Sequence, residues 1–459
     1  MKTNNRDVIW NYLATFLKIA SAVILFPFIL NKLSPEIIGF WNIFITITSL
    51  AAILDFGFSS TFSRNVSYIF SGVKELKVKG YEEISNNNSE VDYSLLKVVI
   101  ETMRWFYLRA AILLFIIFSL IGTYYIYILL ENFSGNVTEV LISWGIVCLL
   151  STYNLYTLYY DSLLVGKGLI KESKQITILG HTTYLLTAII LIQLEFGLIA
   201  IVSSQALSII IIRWLSFKTF FSKELLGTLS KANKRPKNEI LKAISPNAIK
   251  IGLTSIGGYM VNKSSMVIGS LYLTLEQIAS FGVTLQIITL ISGISTIYLT
   301  TFQPKIASLR VLNDRMSIKS IYVKGQLFII LTFVLAGTIT CYLGNWIFDF
   351  IGSKTNLIEV RLIVLGLIVA FLEINHSSAG TILLSKNEVP FFKASLISGF
   401  ITIILLLGMF ANFDFGILTL IIAPGITQAL YQNWKWPLKV MNELNLTFKD
   451  YLKAFEILK

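Results

Sequence analysis

The chain has 459 residues, of which 55% are hydrophobic and 14% are charged, and its mean hydropathy is +0.72. Soluble proteins carry about 25% charged residues, so this composition excludes an ordinary soluble protein. Apolar segments of about 20 residues recur along the chain, and this is the length of a helix that crosses a bilayer. Because lipid cannot satisfy exposed backbone polar groups, such segments must be helical. The composition therefore predicts an all-α polytopic membrane protein.

The formal net charge is +12, from 38 Lys and Arg residues against 26 Asp and Glu residues. In a soluble protein this surplus would favour a nucleic-acid partner. In a membrane protein, Lys and Arg accumulate in cytoplasmic loops and set the orientation of the chain. We therefore interpret the basic residues as topology signals and predict no nucleic-acid partner.

Twelve apolar segments predict twelve transmembrane helices. Of the 38 Lys and Arg residues, 33 fall in segments on the same side as the two termini. The opposite side holds Lys32, Lys354 and Arg361, while Lys18 and Lys263 lie within spans. This asymmetry predicts that both termini are cytoplasmic. The predicted spans lie near residues 8–30, 38–61, 105–129, 138–160, 174–193, 196–217, 246–270, 278–301, 322–343, 359–383, 393–411 and 415–436.

Short motifs of the first half return in the second half. LSPE at residues 33–36 corresponds to LTLE at residues 273–276, and EFG at residues 195–197 corresponds to DFG at residues 414–416. Each half has an even number of predicted spans, so the two halves have the same orientation. The pattern predicts a parallel duplication into two pseudo-symmetric six-helix lobes, with the substrate path between them.

The long basic segment between the halves sets the predicted domain boundaries. We predict an N-terminal lobe at residues 1–221 with a flexible cytoplasmic insertion at about 71–97, a cytoplasmic inter-lobe linker at 222–242, a C-terminal lobe at 243–438, and a cytoplasmic tail at 439–459.

The sequence offers no arrangement typical of an enzyme. Asp55-Phe56-Gly57 matches a kinase triplet, but it lies in a span and lacks the accompanying Gly-rich loop and His-Arg-Asp segment. The two histidines, His181 and His376, belong to no cluster with metal-ligand spacing. We therefore predict no enzymatic activity, no catalytic residue and no bound metal.

Charged residues within the spans are the candidates for function. An ionisable side chain at the bilayer centre costs at least about 2.5–3.5 kcal/mol, so it faces a cavity or a partner. Lys18 follows Asn11 and Thr15 at helical spacing, and Lys263 lies beside Asn262 on a second polar-striped helix.

These cations predict a positively charged cleft, which suits an anionic head group because Lys and Arg bind phosphate oxygens. An anchoring role at helix ends remains the alternative for each. The candidate substrate-binding residues are Lys18, Arg64, Arg213, Lys250, Lys263 and Asn262.

The acidic candidates concern ion coupling. Glu373 and His376 share one face of the tenth predicted span, so they could form a proton or cation site, as could Asp55 in the second span. The alternative is that each carboxylate is an internal partner for a nearby cation. We predict no organic cofactor, and coupling to H⁺, Na⁺ or the membrane potential stays open.

A family resemblance rests on one stretch, residues 33–67. LSPE at 33–36, GFW at 39–41, LDFGFSS at 54–60, and Arg64 resemble the second-span signature of Wzx-type O-antigen and polysaccharide flippases. These belong to the polysaccharide transporter branch of the MOP superfamily, which is related to MATE transporters. Elsewhere the resemblance rests on span number, duplication and length.

The resemblance implies two lobes that alternate access to the two faces of the bacterial inner membrane. It implies a substrate of undecaprenyl pyrophosphate carrying an O-antigen or capsule oligosaccharide, moved from the cytoplasmic to the periplasmic leaflet. Membrane lipids, and a polymerase and chain-length regulator of the same pathway, are the implied partners. Of the substrate-binding candidates, only Arg64 lies within the matched stretch.

Two alternatives stay open on the sequence. A MATE-type cation-coupled drug antiporter would have the same fold but would favour an acidic interior, whereas Lys18 and Lys263 are basic. An O-antigen polymerase would also have many spans, but it would need a large outer loop with arginines. The longest predicted outer loop, around residues 344–358, is short and holds one cation, Lys354.

Overall fold

The computed structural model describes residues 5–75, 91–233, 236–386, 389–447 and 449–452. Every regular element in these ranges is a helix, and they contain no strand. The predicted all-α class is therefore confirmed. Most of the predicted insertion at 71–97 falls on residues 76–90, which lie outside the described ranges.

The first compact unit comprises Met1–Leu33 and Phe44–Ser255. It holds α1 and α3 to α11, together with the parts of α2 and α12 within those bounds. The helices are α1 Asn5–Lys32, α2 Pro35–Thr48, α3 Leu50–Leu54, α4 Phe58–Phe70, α5 Tyr93–Ile117, a π-helical turn at Phe118–Gly122, α6 Thr123–Leu130, α7 Val137–Thr157, α8 Tyr159–Lys167, α9 Ile170–Gln193, α10 Gly197–Phe220, α11 Lys223–Lys231 and α12 Lys237–Gly269.

The second compact unit comprises Ser34–Ile43 and Ile256–Lys459. It holds the remaining parts of α2 and α12 and six further helices. These are α13 Leu275–Val311, α14 Arg315–Phe350, α15 Val360–Leu384, α16 Phe392–Asn412, α17 Ile417–Leu430 and α18 Gln432–Leu444.

The start of α2 packs within the second unit, against α13. A Cβ added at Gly39 would collide with the backbone carbonyl of Leu275, so this close approach requires glycine. Farther along, Gln286 donates a hydrogen bond to Asn42, at 2.6 Å between Nε2 and Oδ1. These contacts explain why Ser34–Ile43 belong to the second unit. The predicted lobes, at 1–221 and 243–438, assign these residues to the N-terminal lobe instead. Those lobes stay a prediction.

The predicted linker at 222–242 contains a helix. Ser222 caps the start of α11, its hydroxyl accepting from the backbone N–H of Leu225 at 3.2 Å. Leu225 and Leu229 are buried, and α11 contacts α5. The segment is thus packed within the first unit along α11, because its leucines recur at helical spacing.

Nine helices in the described ranges are long and apolar enough to cross a membrane, and the chain is a multi-pass membrane protein. They coincide with nine of the twelve predicted spans. The others correspond to α1, α12 and α17. The helix at the twelfth predicted span, 415–436, starts at Ile417 and breaks at Tyr431, which has φ −144° and ψ −55°, and the chain continues as the amphipathic α18.

The second predicted span, 38–61, is not one continuous helix. The chain breaks at Asp55-Phe56-Gly57, where Phe56 has φ 48° and Gly57 has φ 70°. The left-handed conformation costs glycine little but is uncommon for phenylalanine. The Phe56 ring packs directly over Gly252 of α12, where any Cβ would overlap it. Packing of this ring therefore accompanies a strained backbone position.

The duplicated motifs take equivalent positions. Helix α2 begins at Pro35 and α13 at Leu275, the third residues of LSPE and LTLE. Gly197 and Gly416, which close the EFG and DFG motifs, have φ of 56° and 54°. A left-handed glycine thus precedes or starts the sixth helix of each predicted half, as a duplication would produce.

The predicted topology is testable by cysteine labelling. In a chain with Cys148 and Cys341 replaced by Ala, Glu359→Cys lies at the outer end of the predicted span 359–383 and Glu224→Cys in the predicted cytoplasmic linker; both native residues are exposed. In right-side-out membrane vesicles, a membrane-impermeant maleimide should label E359C, and should label E224C only after permeabilisation. The reverse pattern would contradict cytoplasmic termini.

Candidate functional site

The second unit contains a partly open cavity of about 420 Å³ between α12, α13, α15 and α17. Its walls are mostly apolar, with Phe281, Leu285 and Ile288 on α13 among them. The charged lining residues are Lys263 from α12 and Glu373 from α15. The two thus line one cavity, although they are 110 positions apart in the sequence.

Two polar side chains extend the charged lining. Asn262, next to Lys263, is exposed and lines the same cavity, as does Gln428 from α17. In a membrane-embedded unit, amide and charged groups around a cavity replace the hydration that lipid cannot supply. The cavity therefore offers a few polar and charged groups to a ligand within mostly apolar walls.

Glu373 is held by two neighbours. Its Oε2 accepts a hydrogen bond from Gln428 Nε2 at 2.8 Å, and its Oε1 lies 3.7 Å from Nε2 of His376. The other ring nitrogen of His376 lies 2.8 Å from Oδ1 of Asn433 on α18. The predicted face with Glu373 and His376 is thus present, and the two side chains lie 3.7 Å apart, which is beyond hydrogen-bond distance.

A chain of amides leads away from Glu373. Gln428 Oε1 accepts from Gln432 Nε2 at 3.1 Å, and Gln432 Oε1 accepts from Trp436 Nε1 at 2.9 Å. Gln428, Gln432 and Trp436 are all buried, so each bond satisfies a group that water cannot reach. The carboxylate in the cavity is therefore connected through hydrogen bonds to the amphipathic α18.

In the first unit, Asp55 stabilises the helix break. Its Oδ1 accepts from the hydroxyl of Tyr107 at 2.5 Å and from the backbone N–H of Ser59 at 3.1 Å. The second bond satisfies one of the otherwise unpaired N–H groups at the start of α4. This geometry gives Asp55 a structural role at the break; its role in ion coupling stays a prediction.

Arg213 on α10 is buried and paired. Its Nη1 lies 2.7 Å from Asp161 Oδ2, and Asn154 Oδ1 accepts from its Nη2 at 2.7 Å and from its Nε at 3.2 Å. Three of its five N–H groups are therefore committed to partners within the first unit. Binding to substrate, as predicted from sequence, would have to share this guanidinium with Asp161.

The remaining predicted cations of the first unit have exposed side chains. Lys18 on α1, Arg64 on α4 and Lys250 on α12 are all exposed. Lys18 lies close enough to His181 on α9 for their charges to interact. The side chains of Asn11 and Thr15, which complete the predicted polar stripe, lie outside the described part of the chain.

Sequence reasoning missed the uncharged partners. Gln428 and Asn154 bind the ionisable groups Glu373 and Arg213, and Tyr107 binds Asp55. The signal in the sequence was a carboxamide within an apolar span, since such a group needs a partner in lipid just as a charge does.

Among the described residues no cluster of three or more His, Cys, Asp and Glu could hold a metal ion.

No protein-family model and no curated protein matches this sequence. Solved structures do match over nearly the whole chain. An inward-facing multidrug resistance MATE family transporter of the MOP superfamily has a TM-score of 0.64 at 13% identity, covering 94% of each chain. The lipid II flippase MurJ, in an inward closed conformation, has a TM-score of 0.63 at 15% identity, covering 97% of this chain and 90% of that one.

A MATE in a bent conformation also matches, with a TM-score of 0.55 at 13% identity, over 95% of this chain and 94% of that chain. This chain has the fold of MATE and MurJ transporters. At these identities the likeness establishes the fold and not the substrate. The predicted MATE-like architecture is therefore confirmed, whereas the Wzx-type assignment stays a prediction.

The ion pair in the first unit generates a stability prediction. Asp161→Ala would leave the buried Arg213 with Asn154 as its remaining partner, so we expect a loss of about 1–3 kcal/mol. The expected result is a lower melting temperature of the purified protein in detergent. Asp414→Ala, at an exposed carboxylate of the second unit, is the matched control. Equal melting temperatures for the two variants would contradict a stabilising role for the pair.

Proposed function

We propose that this protein is a flippase that moves undecaprenyl-pyrophosphate-linked oligosaccharides, an O-antigen or capsule unit, from the cytoplasmic to the periplasmic leaflet of the bacterial inner membrane. The observation that carries the proposal is Lys263, an ammonium group lining a mostly apolar cavity inside a membrane-embedded unit. The fold shared with a lipid II flippase supports it. The chain-specific support is the family resemblance of residues 33–67.

The physical task fits these residues. A sugar-bearing pyrophosphate cannot cross hydrocarbon unaided, because its hydroxyls and charges would lose their water. Lysine and arginine side chains form charge-assisted hydrogen bonds to phosphate oxygens and offset that loss. In the proposal, Lys18, Lys250 and Arg64 supply exposed cations in one unit, and the half-buried Lys263 supplies a cation beside the amide of Asn262 in the other.

The membrane potential supplies a driving force. With the cell interior negative, moving an anion outward is favourable by about 2.3 kcal/mol per charge per 100 mV. Two charges on a pyrophosphate would gain about 4–5 kcal/mol at that potential. If lysines move with the head group, their positive charge cancels part of this gain. The membrane potential therefore favours outward transport. The net free energy gained depends on how many cations accompany the substrate.

We further propose that Glu373 couples transport to a proton or cation. Its carboxylate lines the cavity with Lys263, and His376 and Gln428 hold it in place. A change in its charge would alter the field on Lys263 inside the same low-dielectric space. Ion occupancy at Glu373 would thereby change the affinity of the cavity for an anion.

A MATE-type drug antiporter is the second candidate, and one observation favours it. Glu373 lies in a mostly apolar cavity of about 420 Å³, a setting that suits an apolar cation. Lys263, which lines the same cavity, opposes such a ligand by charge repulsion. A polymerase is less favoured still, because α14 extends to Phe350 and leaves residues 351–359 as the connection to α15.

The central prediction concerns Lys18 and Lys263. In cells with this chain as sole flippase, we expect the double variant Lys18→Ala/Lys263→Ala to insert normally but to abolish surface polysaccharide, since the head group would lose its cations. The measurement is surface polysaccharide by immunoblot, normalised to membrane protein level. Lys305→Ala, at an exposed lysine of α13 over the Phe302 ring, is the matched control. Normal polysaccharide in the double variant would contradict the cationic cleft.

A separate prediction addresses coupling. Glu373→Gln keeps the size and an acceptor for Gln428 but cannot carry charge. In proteoliposomes, we expect this variant to lose the dependence of transport on a proton or sodium gradient, while dependence on the membrane potential persists. Transport that follows the ion gradient as in the unmodified protein would exclude Glu373 as the coupling group.

A further inference from the structure

A second polar recess lies at one end of the second unit, away from the cavity of Lys263. It has a volume of about 300 Å³ and forms where the turn between α13 and α14 meets the ends of α15 and α18. All three segments fall on the cytoplasmic side in the predicted topology. The described residues that line it are Arg310, Asn313, Arg315, Ile318, Lys386 and Glu443.

Glu443 of α18 joins two of the cations. Its Oε1 lies 2.6 Å from Arg310 Nη1, and its Oε2 lies 2.7 Å from Lys386 Nζ. Burial acts to raise the pKa of Glu443, but the hydrogen bond from Lys386 and the charge of Arg310 outweigh it, so the pKa is lowered. The carboxyl group is therefore an anion that fixes the two cations around the recess.

Cationic charge is nevertheless in excess. Among the described lining residues, Arg310, Arg315 and Lys386 face one carboxylate, which leaves a surplus of two positive charges. Asp314 and Asp450 are not among the described residues that line the recess. Asp314 accepts from the backbone N–H of Ser317 at 3.0 Å, and Asp450 lies 2.7 Å from Lys319.

Apolar side chains flank the recess. Leu312 and Met316, on the turn that carries Arg315, are 72% and 74% exposed. The turn joins two helices long and apolar enough to cross the membrane, and it lies beyond the predicted cytoplasmic ends of both spans, at 301 and 322. A cationic recess beside exposed apolar side chains matches the order of groups in a phospholipid, from phosphate to acyl chain.

We propose that this recess binds the phosphate of an anionic glycerophospholipid, with its acyl chains passing Leu312 and Met316. Arginine supplies planar pairs of donors to phosphate oxygens, and lysine supplies a mobile point charge. Free phosphate has the same head-group chemistry, but it would make no use of Leu312 and Met316. Bound lipid would stabilise the junction of α13, α14, α15 and α18 beyond the bridges of Glu443.

Two variants that change the charge of the recess in opposite directions test the proposal. Arg315→Gln removes one cation and leaves the partners of Glu443 in place. Glu443→Gln removes the competing anion. Arg361→Gln is the control, since Arg361 is 91% exposed near Glu359, at the predicted outer end of α15. Each full-length variant is purified in detergent, and bound phosphatidylglycerol and phosphatidylcholine are counted by native mass spectrometry.

We expect the unmodified protein to retain phosphatidylglycerol in preference to phosphatidylcholine. R315Q should lower the phosphatidylglycerol affinity about five-fold, E443Q should raise it, and R361Q should leave it unchanged. A change of the same size in R315Q and R361Q, or a lower affinity in E443Q, would overturn the site. If inorganic phosphate stabilised the purified protein as much as phosphatidylglycerol does, a lipid would be excluded as the occupant of the recess.

Discussion

The cost of leaving a polar group unpaired in hydrocarbon governs this structure. It makes every described regular element a helix, because a helix pairs its own backbone groups. The same cost acts on side chains. Arg213 is matched by Asp161 and Asn154, Asp55 by Tyr107 and Ser59, and Glu373 by Gln428 and His376.

Pairing divides the ionisable groups into two kinds. Arg213 and Asp55 are matched within the first unit and hold its helices together, Asp55 at the break after α3. Lys263 and Glu373 instead line a partly open cavity, where a ligand could complete their pairing. We assign stability to the first kind and propose function for the second. Glu373 belongs to both kinds, because it lines the cavity and also accepts a hydrogen bond from Gln428 of α17. A ligand whose charge acts on Glu373 would therefore also affect the position of α17.

Periodicity and motif position predicted much of the fold. The return of LSPE as LTLE indicated that two helices would have equivalent places, and α2 and α13 both begin at the third residue of the motif, three residues before the predicted spans at 38 and 278. The break at residues 55–57 was not visible, since Phe56 adopts a left-handed conformation through packing on Gly252, a contact nearly 200 positions away. The helix within residues 222–242 was not predicted, because the basic residues of this segment favoured a cytoplasmic linker.

The candidate site was predictable only in part. Intramembrane charge singled out Lys263 and Glu373, and helical spacing placed His376 beside Glu373. Sequence reasoning could not determine that Arg213 is paired, because its partners lie on α7 and α8. Nor could it find the meeting of Arg310, Lys386 and Glu443, which come from three separate segments. Contacts between distant helices depend on packing, which periodicity within one helix does not encode.

The claim that the chain carries a lipid-linked oligosaccharide is tested most directly by deleting its gene in the native host. The measurement is mass analysis of undecaprenyl-linked material extracted from the inner membrane, compared with a strain in which the gene is restored. We predict that a pyrophosphate-linked oligosaccharide accumulates on the cytoplasmic leaflet and disappears on complementation. An unchanged lipid-linked pool, together with a new sensitivity to cationic drugs, would contradict the flippase function in favour of an antiporter.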